Sequence, residues 1–365
     1  MRFHWFLPTT GDGGGVRAAI MTTDRELRSD RPASVRYLSQ VARAAEDAGF
    51  GAVLTPVGAG CPDPWIVCSA VAQHTDRIKM LVAFRPGFTL PTLLAQQAQA
   101  FQEVSDGRLL LNVVTGGDPV EQRAYGDFLD HDARYARTGE FLDVLRRCFT
   151  GVPFDHEGQH YRIEGGGLNK PLEPAPELYF GGSSPAAEQV AARHVDVALT
   201  WGEPPAAVGA KVRRLKELAA AQGRGLRVGL RIHVIARDTS AEAWAVADRL
   251  LAGMDPARIE AAQRRFARFD SVAQRSMTAL HGGDTRDLEI SPGLWAGVGL
   301  VREGAGTALV GSYEEVVALL REYAELGVEE FILSGWPHLE EAYRIGENVV
   351  PRLAQTSASL SANAS

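Results

Sequence analysis

Eight short apolar runs recur along the chain, separated by amphipathic stretches with helical spacing, and this alternation limits the fold more than any other feature. The runs are Arg2–Thr9, Gly51–Val57, Ile78–Phe84, Leu109–Val114, Glu177–Phe180, Asp196–Trp201, Val228–Arg237 and Glu330–Ser334. Between them, Val35, Leu38, Val41, Ala45 and Ala48 share one helical face, and so do Leu90, Leu94, Ala98 and Phe101 behind Pro91. Strands alternating with helices must lie parallel, because each helix carries the chain back along the sheet. Eight such units predict a (β/α)8 barrel. A doubly wound open sheet is the alternative, but no G-x-G-x-x-G follows the first run, and Gly11–Gly15 does not supply one.

The 365 residues suit one such domain, expected over 1–355. Three departures from the simple rhythm are expected. Phe154–Leu168 reads as a hairpin excursion, and about 240–311 as an insertion of helices with a mobile Gly-rich loop, VREGAG. The Ser/Ala-rich tail, 356–365, reads as disordered. Ser312-x-x-Glu315 reads as a capping box that starts the following helix.

A net charge of −7 and a pI near 5.8 argue against nucleic acid or an anionic membrane as partner. No leader-type h-region follows Met1 and no apolar run approaches membrane-spanning length. Cys61, Cys68 and Cys148 are too few for a disulfide framework, so a cytoplasmic protein is expected. No HExxH or clustered carboxylate pattern supports a metal.

The chemistry is expected where barrel strands end. In VGLRIHVIAR, side chains alternate, so Arg231 and His233 share one face and Leu230, Ile232 and Val234 the other. Pointed into a barrel, a guanidinium and an imidazole are costly unless an anion joins them or core carboxylates satisfy them. Thr10, Cys61, Asn112, Thr115, Trp201, Trp336 and His338 stand at or just beyond other strand ends. Gly182, Ser183 and Ser184, in GGSSP, open a helix whose N-terminus favours a phosphate, although capping serines are also ordinary. Tyr135 could add a hydroxyl to that site, and Arg302, in VREGAG, is what a lid closing over an anion would carry.

Longer motifs carry a resemblance. WFLPTTGDG, LVAFRPG, SDGRLLLNVVTGGDP, LYFGGSS, LTWGEPP, RIHVIAR, LEISPGLWAGVGLVREGAGTALVG and SGWPHLEEAYRIGE together resemble the alkanesulfonate monooxygenases, which are bacterial-luciferase-like, two-component flavin enzymes. The resemblance runs from Phe3 to about Pro351. It implies a luciferase-like barrel that takes FMNH2 from a separate NAD(P)H-dependent flavin reductase, uses molecular oxygen, and cleaves a C–S bond to give sulfite and an aldehyde-type product. By resemblance, Asn112, Thr115, Tyr135, Gly182, Ser183 and Ser184 hold FMN and its phosphate, with Cys61 near the flavin. Thr10, Trp201, Arg231, His233, Trp336 and His338 form the sulfonate site. Arg231, His233, Arg302 and His338 form the reaction centre, with Arg302 closing over it. A homo-oligomer, dimer or tetramer, is also implied.

Three positions depart from that pattern. Thr10 stands where the family usually has His, Ala59 where it has Arg, and Trp336 where it has Tyr. The segment Gly14–Asp30 is also longer than usual. The same chemistry on a different sulfonate is therefore expected, with a larger polar one such as sulfoquinovose preferred. An F420-dependent oxidoreductase on the same barrel and a non-catalytic flavin- or sulfonate-binding protein are the rival readings.

Overall fold

The computed structural model describes residues 1–13 and 31–353. From the N-terminus run β1 (Arg2–Phe6), α1 (Val35–Asp47), β2 (Ala52–Thr55), α2 (Pro64–Ala72), β3 (Lys79–Phe84), α3 (Pro91–Val104) and β4 (Leu109–Val113). Next come α4 (Pro119–Ala124), α5 (His131–Phe149), the hairpin β5 (Phe154–Glu157) and β6 (Arg162–Gly166), then β7 (Leu178–Gly181) and α6 (Pro185–His194). The chain continues through β8 (Val197–Trp201), α7 (Pro205–Ala220), β9 (Arg227–Arg237), α8 (Ser240–Ala252), α9 (Pro256–Phe266) and α10 (Val272–Ala279). It ends with β10 (Glu289–Ser291), β11 (Leu294–Trp295), β12 (Ala308–Ser312), α11 (Tyr313–Glu325), β13 (Glu330–Ser334) and α12 (His338–Asn348).

Each of the eight expected runs is a barrel strand. β1, β2, β3, β4, β7, β8, β9 and β13 pair in parallel in that order, and β13 closes the ring on β1 with Phe3 opposite Phe331. The alternation sorts the side chains as period two requires. Trp5, Val53, Met80, Val82 and Leu111 face outward into the large core beneath the helices. Phe6, Leu54, Leu81, Leu110, Tyr179, Leu199 and Ile332 fill the barrel itself. Its lower end is polar: the buried Glu330 carboxylate accepts from His4 Nε2 (3.0 Å), Tyr179 Oη (2.7 Å) and Arg227. Gly229 is small because a Cβ there would stand 2.7 Å from Leu199.

The insertion contains the expected helices and adds short strands that the sequence does not announce. α8, α9 and α10 are followed by β10, β11 and β12, which extend the barrel sheet outward. β9 makes this possible through its length. Arg227–Arg231 pair with β8 and Gly229–His233 with β13, and then His233–Arg237 pair with β12. The capping box forms as predicted, with Ser312 and Glu315 reciprocally bonded, and Gly327 closes that helix at φ +100°. The disordered-tail expectation and the whole of the long Gly14–Asp30 segment lie outside the described residues. The residues that flank that segment, Asp12 and Arg31, exchange two backbone hydrogen bonds of 2.9 Å.

Candidate active site

A cleft of about 480 Å³ opens at the C-terminal ends of the barrel strands. Of the sequence-predicted residues, Cys61, Asn112, Thr115, Tyr135 and Gly182–Ser184 line one part of it. Trp201, Arg231 and Arg302 line another. His233, Trp336 and His338 do not line it; they are buried behind Arg231. Thr10 is half-exposed and also stands outside the lining.

Arg231 is the electrostatic centre. It donates to the carbonyls of Ile232 (2.9 Å) and Ile332 (3.3 Å) and to Ser334 Oγ (2.8 Å). All three partners are neutral, so the core-carboxylate alternative is not what the structure contains. Its guanidinium carbon lies 4.9 Å from the centre of the Phe6 ring, and that of Arg302 lies 5.1 Å from the same centre. Burial, then repulsion by Arg302, pulls the Arg231 pKa well down, and burial lowers Arg302 to about 10. Two desolvated cations beside one ring are a costly arrangement that an anion between them relieves.

His233 supports this centre instead of facing the cleft. Its Nε2 lies 3.0 Å from the Ala305 carbonyl, which can only accept, so Nε2 carries the proton. Nδ1 then accepts from Ser334 Oγ at 2.6 Å, and Ser334 accepts in turn from Arg231. The chain of donors Arg231–Ser334–His233–Ala305 therefore has one direction. Trp336 stacks on the imidazole at 4.5 Å. Ser334 escaped the sequence reading because nothing in a strand sequence tells a joint between two charged side chains from a plain serine.

Ala305 belongs to VREGAG, so the donor chain also anchors the predicted lid. Gly304 N donates to Gln274 on α10 (2.9 Å), Thr307 Oγ1 donates to the Gly202 carbonyl (2.5 Å), and Val301 and Arg302 are buried. In this structure the segment is packed down over the cleft.

His338 is not a solvated loop residue. It opens α12, is buried, and its Nδ1 donates to Asp12 Oδ1 at 2.9 Å. The Asp12 carboxylate is fully buried and accepts three further donors: Gly13 N (2.8 Å), His338 N (2.7 Å) and the Tyr37 hydroxyl. Nε2 of His338 is thereby left as the basic nitrogen, within electrostatic reach of both arginines. Asp12 carries no local signal of this role, because its partner is 326 residues away.

Both imidazoles are held neutral. Burial is the main cause; Arg231 and Arg302 push His233 further down, while Asp12 opposes the effect at His338. A histidine whose folded pKa lies below the unfolded value of about 6.5 binds its proton only on unfolding between those two values. Its contribution to stability is complete above about pH 6.5 and is lost below it. Urea unfolding followed from pH 7.5 to 5 is expected to show stability falling by up to about 1.4 kcal/mol per pH unit for each histidine. A stability independent of pH over that range would contradict the neutral assignment.

The other side of the cleft is suited to a phosphoester and a flat ring. Ser184 caps α6 by accepting from Ala187 N (3.2 Å), and the Tyr135 hydroxyl bonds to Ser184. Nothing lies within 4 Å of where a Cβ on Gly181 would stand, so the backbone itself forms the surface there. Thr115 Oγ1 pairs with Thr138 (3.2 Å), and Gln122 fixes the Thr115 carbonyl (3.1 Å). The buried Asn112 Oδ1 has no partner, as an acceptor awaiting a ring N–H would. This donor and acceptor set fits FMN. Cys61 is half-buried nearby, its thiol raised to about 11 by burial and Glu303, so it is protonated at neutral pH. Ion pairs tie the rim: Arg85–Glu121 (2.6 Å), Arg268–Asp118 (2.7 Å) and Arg265–Glu303 (3.0 Å).

A sequence model described as luciferase-like monooxygenase matches residues 1–330. The chain belongs to the luciferase-like monooxygenase family. Solved structures carry the same barrel. A riboflavin lyase (RcaE), crystallised with modified FMN and the substrate riboflavin, is 22% identical over 98% of this chain and 92% of its own, with a TM-score of 0.77. The EDTA monooxygenase (EmoA) of Chelativorans sp. BNC1 is 20% identical over 98% and 94%, with a TM-score of 0.75. A long-chain alkane monooxygenase (LadA) is 18% identical over 98% and 92%, with a TM-score of 0.78. Within this luciferase-like frame, the cleft sits where such barrels hold their chemistry. Among the described residues, no helix is long and apolar enough to cross a membrane.

Proposed function

We propose that this protein is an FMNH2- and O2-dependent monooxygenase that cleaves the C–S bond of an organosulfonate, working in a cytoplasm beside an NAD(P)H-dependent flavin reductase. The observation that carries the reading is the pair of buried guanidiniums, Arg231 and Arg302, that share the Phe6 ring. A sulfonate keeps its charge at any physiological pH and offers three oxygens to them. In balance, one oxygen atom enters the aldehyde and the other leaves as water, while the substrate loses sulfite. Bound FMNH2 would supply the electrons for activating oxygen. Gly182–Ser184 and Tyr135 would hold its phosphate, and Asn112 and Thr115 its ring.

The protein's own part is binding, orientation and exclusion of water. Arg231 is fixed by Ser334 and two carbonyls, so it meets the sulfonate without reorganising. The packed 301–306 segment covers the centre and keeps solvent from it. Trp201, which lines the cleft, adds flat, partly polar surface, which supports a larger polar sulfonate such as sulfoquinovose over a simple alkyl chain.

Sulfite release with FMN, a flavin reductase, NADH and oxygen tests the reading across methanesulfonate, octanesulfonate and sulfoquinovose. One strong responder, with sulfoquinovose expected, supports it. No sulfite from any sulfonate, together with reduction of F420 by an alcohol, would replace it with the deazaflavin reading.

A further inference from the structure

Ser183 has a partner that the sequence gives no hint of: Lys211 Nζ, on α7, donates a hydrogen bond to its Oγ. An ammonium can only donate, so the Ser183 oxygen accepts and its own proton points elsewhere. Ser183 lines the cleft, whereas Lys211 stands behind it. Lys211 is 7% exposed and sits on the buried stripe of α7 with Val208, Val212 and Leu215, where an apolar residue would be the default. Of the nearby carboxylates, Glu188 is gripped by Arg214 (2.7 and 2.5 Å), and Glu203 acts on Lys211 only through its field. A buried ammonium bonded to a neutral hydroxyl is costly without an anion close by.

We infer that Lys211 makes the cleft selective for a phosphorylated flavin, its charge reaching the phosphoester through the polarised hydroxyl of Ser183. The inference rests on the FMN reading above and adds a positioning residue to it. It concerns the phosphate alone, so the ring should be indifferent to Lys211.

The test titrates the full chain, free of cofactor, with FMN and with riboflavin, oxidised and anaerobically reduced, following flavin fluorescence. The wild type is expected to favour FMN. Lys211→Met keeps the length and packing and is expected to weaken FMN about tenfold, equal to about 1.4 kcal/mol, and to flatten its salt dependence. Riboflavin binding should stay within about twofold, and Lys211→Arg should recover most of the FMN affinity. Equal loss of both flavins, which a structural role would give, or unchanged FMN affinity in Lys211→Met, overturns the inference. A wild type with no preference for FMN over riboflavin would instead mean that the FMN reading has failed, taking the inference with it.

Discussion

Replacing Arg231 by methionine is expected to lower kcat/KM for the responding sulfonate by at least about a thousandfold, while the FMN dissociation constant stays within about twofold. The size follows from removing a desolvated, charged donor fixed by three neutral partners. Its companion Arg302 lies across the same ring and keeps part of the field, which is why loss of substrate binding need not be total. Methionine fills much of the volume, and the change removes a buried cation that repels Arg302, so thermal stability should hold or rise. Turnover within tenfold of wild type would show that Arg231 is not the anion anchor. A matching collapse of stability would show that its role is structural.

Asp12→Ala should have the largest effect on the fold, about 4 kcal/mol less stability at pH 7. The carboxylate satisfies four donors in a fully buried place, and alanine leaves several of them without an acceptor. Asp12→Asn, which keeps the shape, should cost less. Both should also lower turnover, because His338 loses the partner that fixes its Nδ1 proton and keeps Nε2 basic. Burial alone would raise the Asp12 pKa, but His338, Tyr37 and Gly13 outweigh it and lower the value. The stabilisation from Asp12 is therefore present above the unfolded pKa of about 3.9 and is lost as pH falls through the lower folded value. Denaturant unfolding of Asp12→Ala beside wild type at pH 7 and pH 3 checks both the size and the sign. An equal difference at the two pH values would refute the assignment of a buried, ionised carboxylate.

The residues read most easily from the sequence were those governed by local periodicity. Arg231 and His233 point inward because strand residues two apart share a face, and all eight barrel strands announced themselves as apolar runs. What stayed hidden depends on distant partners. Ser334 meets His233 across 101 positions and Asp12 meets His338 across 326, and no pattern within either stretch marks the pairing. β10 and β11 are three and two residues long, too short for alternation to register, and α4, at six residues, is too short for a helical period to show. The placement of His233 behind Arg231 was likewise illegible, since alternation fixes the face of a side chain and not its depth.

The eleven residues of β9 have a consequence for anyone who would refashion this enzyme. A designer wishing to trade substrate range between related barrels would naturally cut at the turn after Arg237 and paste in a foreign insertion. Yet His233–Arg237 already form the foundation on which the inserted sheet is laid. The natural unit of exchange therefore begins inside the barrel, at His233, and a graft that leaves this outer half-strand behind would seat a new roof on walls cut for another.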